Sequence, residues 1–222
     1  MSWSWASKKG VLIMSHTLHR SGDVGSLKND YVILSLSAQG LNRDGAGPKL
    51  GSIVQTFSKY NPVNCGILGS DTVITMDLPD EFLQGIENNS VVHAVFDNIN
   101  DLKDCLIDLK ENDYGMSIVV SGLFENVHEC CKKVGIKPHT VNQSLGVFGN
   151  LDRLPKEEKV RDISTMCGHG MVPFLLIKEY VEKIKKGTIT AEKAAEKITP
   201  LCTCKIFNPK RAAILLDELS KE

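Results

Sequence analysis

The chain is poor in aromatic residues and nearly neutral, and both shortages exclude classes of function. Aromatic residues make up 6% of its 222 residues, and the formal net charge is −1 at pH 7. Proteins that hold single-stranded nucleic acid stack bases on aromatic rings, and proteins that bind duplexes or anionic membranes neutralise phosphate groups with lysine and arginine. We therefore expect no nucleic-acid partner and no attraction to an anionic membrane surface.

Long apolar segments are missing as well. No apolar run approaches the roughly 18 residues that a membrane-spanning helix requires. The apolar stretch near the N-terminus, residues 11–14, is shorter than the hydrophobic part of a secretory signal peptide. The sequence therefore predicts a cytoplasmic protein without a membrane partner.

Two common phosphate-binding signatures are also absent. The chain contains no Gly-x-x-x-x-Gly-Lys-Ser/Thr motif, and no Gly-x-Gly-x-x-Gly motif follows a predicted strand. The glycine-rich stretch at residues 44–47 is typical of an ordinary turn. These absences leave the nucleotide-binding classes without support.

The pattern of apolar residues predicts alternating strands and helices before Asn150. Strands are expected at Tyr31–Leu36, Val91–Phe96 and 116–120, with a shorter one at 72–76, and helices at 48–60, 100–110 and 123–134. The succession of strand, helix, strand and helix over residues 91–135 is typical of a βαβ unit with a parallel pair of strands. Gly135 stands where it would end the last of these helices. We therefore predict an α/β fold.

After Asn150 the pattern changes to helices. Residues 151–162 are charged and predict a linker or a solvated segment, and helices are expected at 172–185, after Thr190 and after Asn208. The prediction is thus a flexible tail over residues 1–14, an α/β domain over 15–150 and a helical segment over 151–222. The helical segment carries cysteine and histidine loops and is expected to pack on the α/β domain.

The chain has seven cysteines, an odd number. In a chain expected to stay in a reducing compartment, cysteines are more often free, metal-bound or catalytic than paired in disulfides. A cysteine-rich composition of this kind favours a metal cofactor or an oxygen-poor, anaerobic cell.

Two short motifs place cysteine and histidine side chains near the starts of predicted helices. Cys167 and His169 are two residues apart, and so are Cys202 and Cys204. In extended backbone, side chains two residues apart point to the same side. The predicted helical hairpin between the two motifs can bring them together, so that three sulfurs and one imidazole converge.

Such a set of soft ligands suits an iron–sulfur cluster or a zinc ion. We predict a metal site at these four residues, with Cys65 as a further ligand, and a redox or metal-handling role with a protein redox partner or in a homo-oligomer. The surplus of cysteines favours [4Fe–4S] over zinc. The spacings match neither zinc knuckles nor ferredoxins, so ordinary buried cysteines are an equally weighted interpretation.

Two further functions stay open. In a metal-free thiol enzyme, Cys167 would be the nucleophile and His169 its base, with Cys202 or Cys204 resolving a disulfide. In a small-molecule-binding or interaction module, the cysteines would be structural. A ligand of an α/β protein binds at the carboxyl edge of the sheet, and this expectation singles out Ser121 and Gly122, while Gly168 and Gly170 allow close approach of the backbone at the first cysteine motif.

Overall fold

A five-stranded sheet runs through the middle of the structure, with helices packed on both faces. The computed structural model describes residues 20–69, 72–73, 79–137, 154–166, 172–202 and 205–222. The strands are β1 (Tyr31–Leu36), β2 (Asn64–Ile67), β3 (Thr72–Val73), β4 (Val91–Phe96) and β5 (Ser117–Ser121). Their order across the sheet is β3-β2-β4-β1-β5, and each neighbouring pair is antiparallel.

The helices form two layers. One face of the sheet is covered by the first layer, α2 (Ala46–Ser58), α4 (Ile99–Asn112) and α5 (Phe124–Val134), with the short α3 (Asp80–Gln84) against α2. The other face is covered by the second layer, α6 (Glu158–Thr165), α7 (Phe174–Lys185), α8 (Ala191–Ile198) and α9 (Pro209–Lys221). The short α1 (Val24–Leu27) precedes β1, and a 3₁₀ turn, Thr199–Leu201, follows α8. Among the helices that the structure describes, none has the length and apolar character needed to cross a membrane.

β1 is uniformly apolar over its first four residues because both of its faces are buried. Tyr31 and Ile33 pack into the first layer, whereas Val32 and Leu34 pack into the second. A strand covered on both faces has no solvent side on which polar residues would alternate. β5 lies at the edge of the sheet, and its Val119, opposite Leu34, is 44% exposed.

The α/β class predicted from the sequence is confirmed, and one detail of it is corrected. β4, α4 and β5 do form a βαβ connection with two strands that run in the same direction, since both are antiparallel to β1. These strands are not neighbours, because β1 lies between them. Apolar periodicity reports which segments are strands, but it does not report which strand fills the gap between two others.

The predicted helix ends are observed at three positions. Gly135 has a φ of 72° and ends α5 in the left-handed conformation. Thr190 accepts a hydrogen bond from the Lys193 N–H at 3.3 Å at the start of α8. Asn208 accepts one from the Arg211 N–H at 2.9 Å at the start of α9. Side-chain capping of this kind satisfies amide groups that a helix leaves unpaired.

The charged segment that predicted a linker contains a helix. α6 begins at Glu158, and its Val160 and Ile163 are buried in the second layer. Asp162 is buried as well and accepts a hydrogen bond from Ser21 Oγ at 2.8 Å. Only two apolar side chains three residues apart mark this helix, so the surrounding charges conceal its buried face.

A buried group of charged and polar side chains joins the segment before β1 to α9. We call it the arginine cluster: Arg20, Asp30, Asn208 and Arg211. Arg211 Nη1 lies 2.8 Å and Arg20 Nη1 3.2 Å from Asp30 Oδ2, and Asn208 Nδ2 donates to Asp30 Oδ1 at 3.0 Å. Arg211 Nη2 also donates to the Ser21 carbonyl at 2.6 Å. Buried charges persist in proteins when they are paired and hydrogen-bonded, as they are here.

Candidate cysteine site

The structure describes two of the five residues predicted to bind metal, Cys65 and Cys202. The others lie outside the described residues, together with the two glycines of the first motif: Cys167, Gly168, His169, Gly170 and Cys204. Within the described ranges, no group of three or more histidine, cysteine, aspartate or glutamate side chains could hold a metal ion. The ligand set therefore stays a prediction, and the structure informs it through the residues that flank the two motifs.

The flanks of both motifs belong to the core between the sheet and the second layer. Four fully buried residues, which we call the flanking residues, pack into the cluster between the sheet and the second layer: Met166, Val172, Cys202 and Ile206. The first two stand on either side of residues 167–171, and the last two on either side of residues 203–205. Both motifs therefore start and end at the same core.

A buried hydrogen bond closes the ends of the first motif. Ser164 Oγ donates to the Val172 carbonyl at 2.6 Å, and the serine is fully buried. This bond joins α6 to the residue that follows the motif. The chain therefore re-enters the core at Val172 within hydrogen-bonding distance of Ser164, two residues before Met166.

Two polar side chains of the sheet hold the backbone that follows the second motif. Asn64 Nδ2 donates to the Lys205 carbonyl at 2.6 Å and to the Phe207 carbonyl at 2.8 Å, and His93 Nε2 lies 2.9 Å from the Lys205 carbonyl. Because a carbonyl only accepts, His93 carries a proton on Nε2. Lys205 itself has a φ of 63°, a left-handed conformation that residues other than glycine adopt infrequently.

These contacts fix the loop from more than one direction. Asn64 is in β2 and His93 is in β4, and both are fully buried. A third side chain, Arg20, donates from Nη2 to the Ile206 carbonyl. Backbone held in an infrequent conformation persists when surrounding groups determine it in this way. No local pattern of the sequence marked Asn64 or the carbonyl that the two side chains share.

Cys65 lies on the other face of the sheet. Successive residues of a strand point to opposite faces, so Cys65 points away from its neighbour Asn64 and packs with Cys105 in the first layer. Burial raises the pKa of the Cys65 thiol to about 12, and burial raises the pKa of Cys105 as well. Cys202 belongs to the core on the opposite face. The sheet therefore separates Cys65 from Cys202, and we leave Cys65 out of the site proposed below.

Four of the five described cysteines are in surroundings that favour the protonated thiol over the thiolate. All five are buried: Cys65, Cys105, Cys130, Cys131 and Cys202. Burial raises the thiol pKa of the first four. Since the thiolate is the reactive form, these four positions favour inert, protonated sulfur.

The residues predicted to bind a ligand at the carboxyl edge have contacts within the protein. A Cβ added to Gly122 would lie 2.5 Å from Tyr31 Cδ1, so glycine lets the turn after β5 pass close to the tyrosine ring. Asn126 Nδ2 donates to Tyr31 Oη at 2.8 Å and joins the ring to α5. Ser121 is half-buried at the end of β5, opposite Val32. Packing thus accounts for Gly122 without a ligand.

Comparisons of the chain with protein-family models, with curated proteins and with solved structures found no match.

Proposed function

We propose that the chain binds a zinc ion or an iron–sulfur cluster between the Cys167–His169 and Cys202–Cys204 motifs, and that it serves in redox chemistry or metal handling. The observation that carries this proposal is that the four flanking residues belong to one buried cluster. Both motifs are short, and the residues on either side of each motif return to this core. This supports the meeting of three sulfurs and one imidazole that a metal site needs.

The anchoring of the second loop gives further support. Metal ligands are usually oriented by outer hydrogen bonds that fix the backbone and rings around them. Asn64 and His93 supply buried hydrogen bonds directly after Cys204, at the Lys205 carbonyl.

The separation of Cys65 from Cys202 removes the reason to prefer an iron–sulfur cluster over zinc. Cys65 was the reason to prefer a cluster, because it offered a further thiolate. Three cysteines and one histidine make a complete tetrahedral set for structural zinc, and the same set can hold a [4Fe–4S] cluster. Metal content, rather than sequence, distinguishes the two.

The proposal extends to the cellular location of the protein and to its partner. We infer a cytoplasmic protein that exchanges electrons or metal with a protein partner or with a second copy of itself. Its near-neutral charge gives no reason to expect nucleic acid or an anionic membrane as the partner.

The test is the metal content of the full chain purified without oxygen. We expect zinc or iron to copurify in a fixed ratio to protein, and iron–sulfur protein to absorb broadly near about 400 nm, as thiolate-bound clusters do. Cys167→Ser and Cys204→Ser should each lose most of the metal. Cys130→Ser is the matched control, because it also replaces a cysteine but lies in the first layer, and it should keep the metal.

Two results would reject the proposal. Wild-type protein that is free of metal, even after incubation with zinc or after cluster reconstitution, has no such site. Metal retained in full by both Cys167→Ser and Cys204→Ser would place the ligands elsewhere. If the metal-free protein alkylates rapidly at Cys167 at neutral pH, the thiol enzyme replaces the metal protein.

A further inference from the structure

A cleft opens between α4 and α5, at the edge of the sheet where β4 and β5 both end. Its volume is about 260 Å³. Its lining includes side chains that are polar or ionisable: Lys28, Asn100, Lys103, Asn126, Cys130 and Lys133. The carboxyl edge of the sheet was the predicted place for a ligand, and the cleft shifts that expectation from Ser121 and Gly122 to the side chains of the two helices.

The lining carries an excess of positive charge. Three lysines face one lining carboxylate, Glu129, in a chain whose overall net charge is −1. Among the described residues, none forms an ion pair with Lys28, whereas Lys103 is paired at 3.2 Å with Asp104, which is largely exposed. Lys133 is paired at 2.7 Å with Glu129, and this pair is largely exposed, so it contributes little that a ligand would have to replace.

Cys130 lines the cleft together with Lys103 and Lys133. Cys130 is 3% exposed, and burial raises the pKa of its thiol, an effect that Lys103 and Lys133 oppose. The two lysines belong to different helices, α4 and α5, and line the same cleft. Asn126 uses one amide hydrogen for Tyr31 Oη, which leaves the other for a ligand.

Backbone amides at the start of α4 are already satisfied. Asn98 Oδ1 accepts hydrogen bonds from the N–H groups of Asn100 at 3.0 Å and Asp101 at 2.9 Å. An anion in the cleft would therefore be bound by lysine and asparagine side chains from several elements, and not by the helix end alone. This distinguishes the cleft from an ordinary exposed helix N-terminus.

We propose that this cleft binds a small phosphate monoester through Lys28, Lys103 and Lys133. The three ammonium groups come from three elements, and the carboxylates paired with two of them, Glu129 and Asp104, are in exposed ion pairs that a phosphate monoester, a dianion above its second pKa of about 6, can replace. The cleft is smaller than the roughly 300–1,000 Å³ of sites for drug-sized ligands, so it fits a phosphate with a few carbon atoms and not a nucleotide. The cleft belongs to the first-layer side of the sheet, so this proposal is independent of the metal site.

Calorimetric titration of the full chain with glycerol 3-phosphate and with inorganic phosphate tests the proposal. We expect saturable binding of both, and Lys28→Ala and Lys103→Ala should each weaken binding of glycerol 3-phosphate by about tenfold, since each removes one charge-assisted hydrogen bond. Lys132→Ala is the matched control: it removes an exposed lysine of α5 that does not line the cleft, and it should leave the affinity unchanged. All three substitutions are at partly or fully exposed lysines, so the fold should be retained.

Three outcomes overturn the proposal. The first is the absence of saturable binding by either phosphate compound. The second is an affinity that Lys28→Ala and Lys103→Ala leave at the wild-type value, which would place the anion elsewhere. The third is succinate binding as tightly as glycerol 3-phosphate, which would show a carboxylate site in place of a phosphate site. Glycerol, which has the same carbon skeleton without the charge, should give no binding heat.

Discussion

Replacing Asp30 by asparagine removes the negative charge that contacts both arginines of the arginine cluster. The Asp30 side chain is fully buried, and its Oδ2 lies 2.8 Å from Arg211 Nη1 and 3.2 Å from Arg20 Nη1. Asparagine keeps the shape of the side chain but leaves two buried guanidinium groups without this partner. Removing one member of a buried ion pair costs about 3–5 kcal/mol, because an uncompensated charge stays in the core. We expect Asp30→Asn to lower the free energy of unfolding by that amount.

Urea unfolding followed by circular dichroism measures the effect. The midpoint should fall while the slope with denaturant stays constant, and each kcal/mol should lower the melting temperature by roughly 2–4 °C in a chain of this size. Asp217→Asn is the control, since Asp217 forms an exposed pair with Lys221 at 2.5 Å, and exposed pairs contribute about 0–1 kcal/mol. A loss for Asp30→Asn no larger than for Asp217→Asn would refute the role assigned to the arginine cluster.

Three further predictions follow from described contacts. Gly122→Ala puts a methyl group 2.5 Å from the Tyr31 ring, so overpacking should cost about 1–3 kcal/mol in thermal unfolding, and an unchanged melting temperature would show that the turn relaxes. His93→Phe removes one of two buried bonds to the Lys205 carbonyl; amide hydrogen exchange over residues 205–208 should accelerate, and wild-type exchange rates would contradict the anchoring role. Burial raises the pKa of Cys65 to about 12, so the fold favours the protonated thiol, and stability should decline as pH rises from the ordinary thiol pKa towards 12. Cys65→Val should reduce that decline in pH-dependent unfolding, whereas an identical decline would show that other groups cause it.

The strongest elements of the fold could be predicted from local sequence. The bounds of β1 and β4 match the predicted Tyr31–Leu36 and Val91–Phe96, because each is an apolar run bounded by polar residues. The left-handed Gly135 and the capping Asn208 mark helix ends through chemistry that acts within a few residues. Where the structure of a segment is determined by its neighbours along the chain, the sequence alone was sufficient to predict that segment.

The missed elements depend on residues far apart in the chain. β2 was not predicted because Asn-Cys-Gly-Ile has neither alternation nor an uninterrupted apolar run, and it is held in the sheet by β4. α6 was concealed by its charges, since its buried face is defined by α7 and α9. The bonds from Asn64 and His93 to the Lys205 carbonyl join segments more than one hundred residues apart, and no periodicity of the sequence can reveal such a contact.

The central position of β1 also has a consequence for synthesis on the ribosome. β1 is made early, but its two partners, β4 and β5, begin only at Val91 and Ser117. Until then both of its edges are open, and an apolar strand with open edges readily joins strands of other nascent chains. A ribosome that stalls before residue 91 would therefore release a fragment prone to aggregation, and the intact chain should fold slowly for its size because its sheet closes through distant contacts.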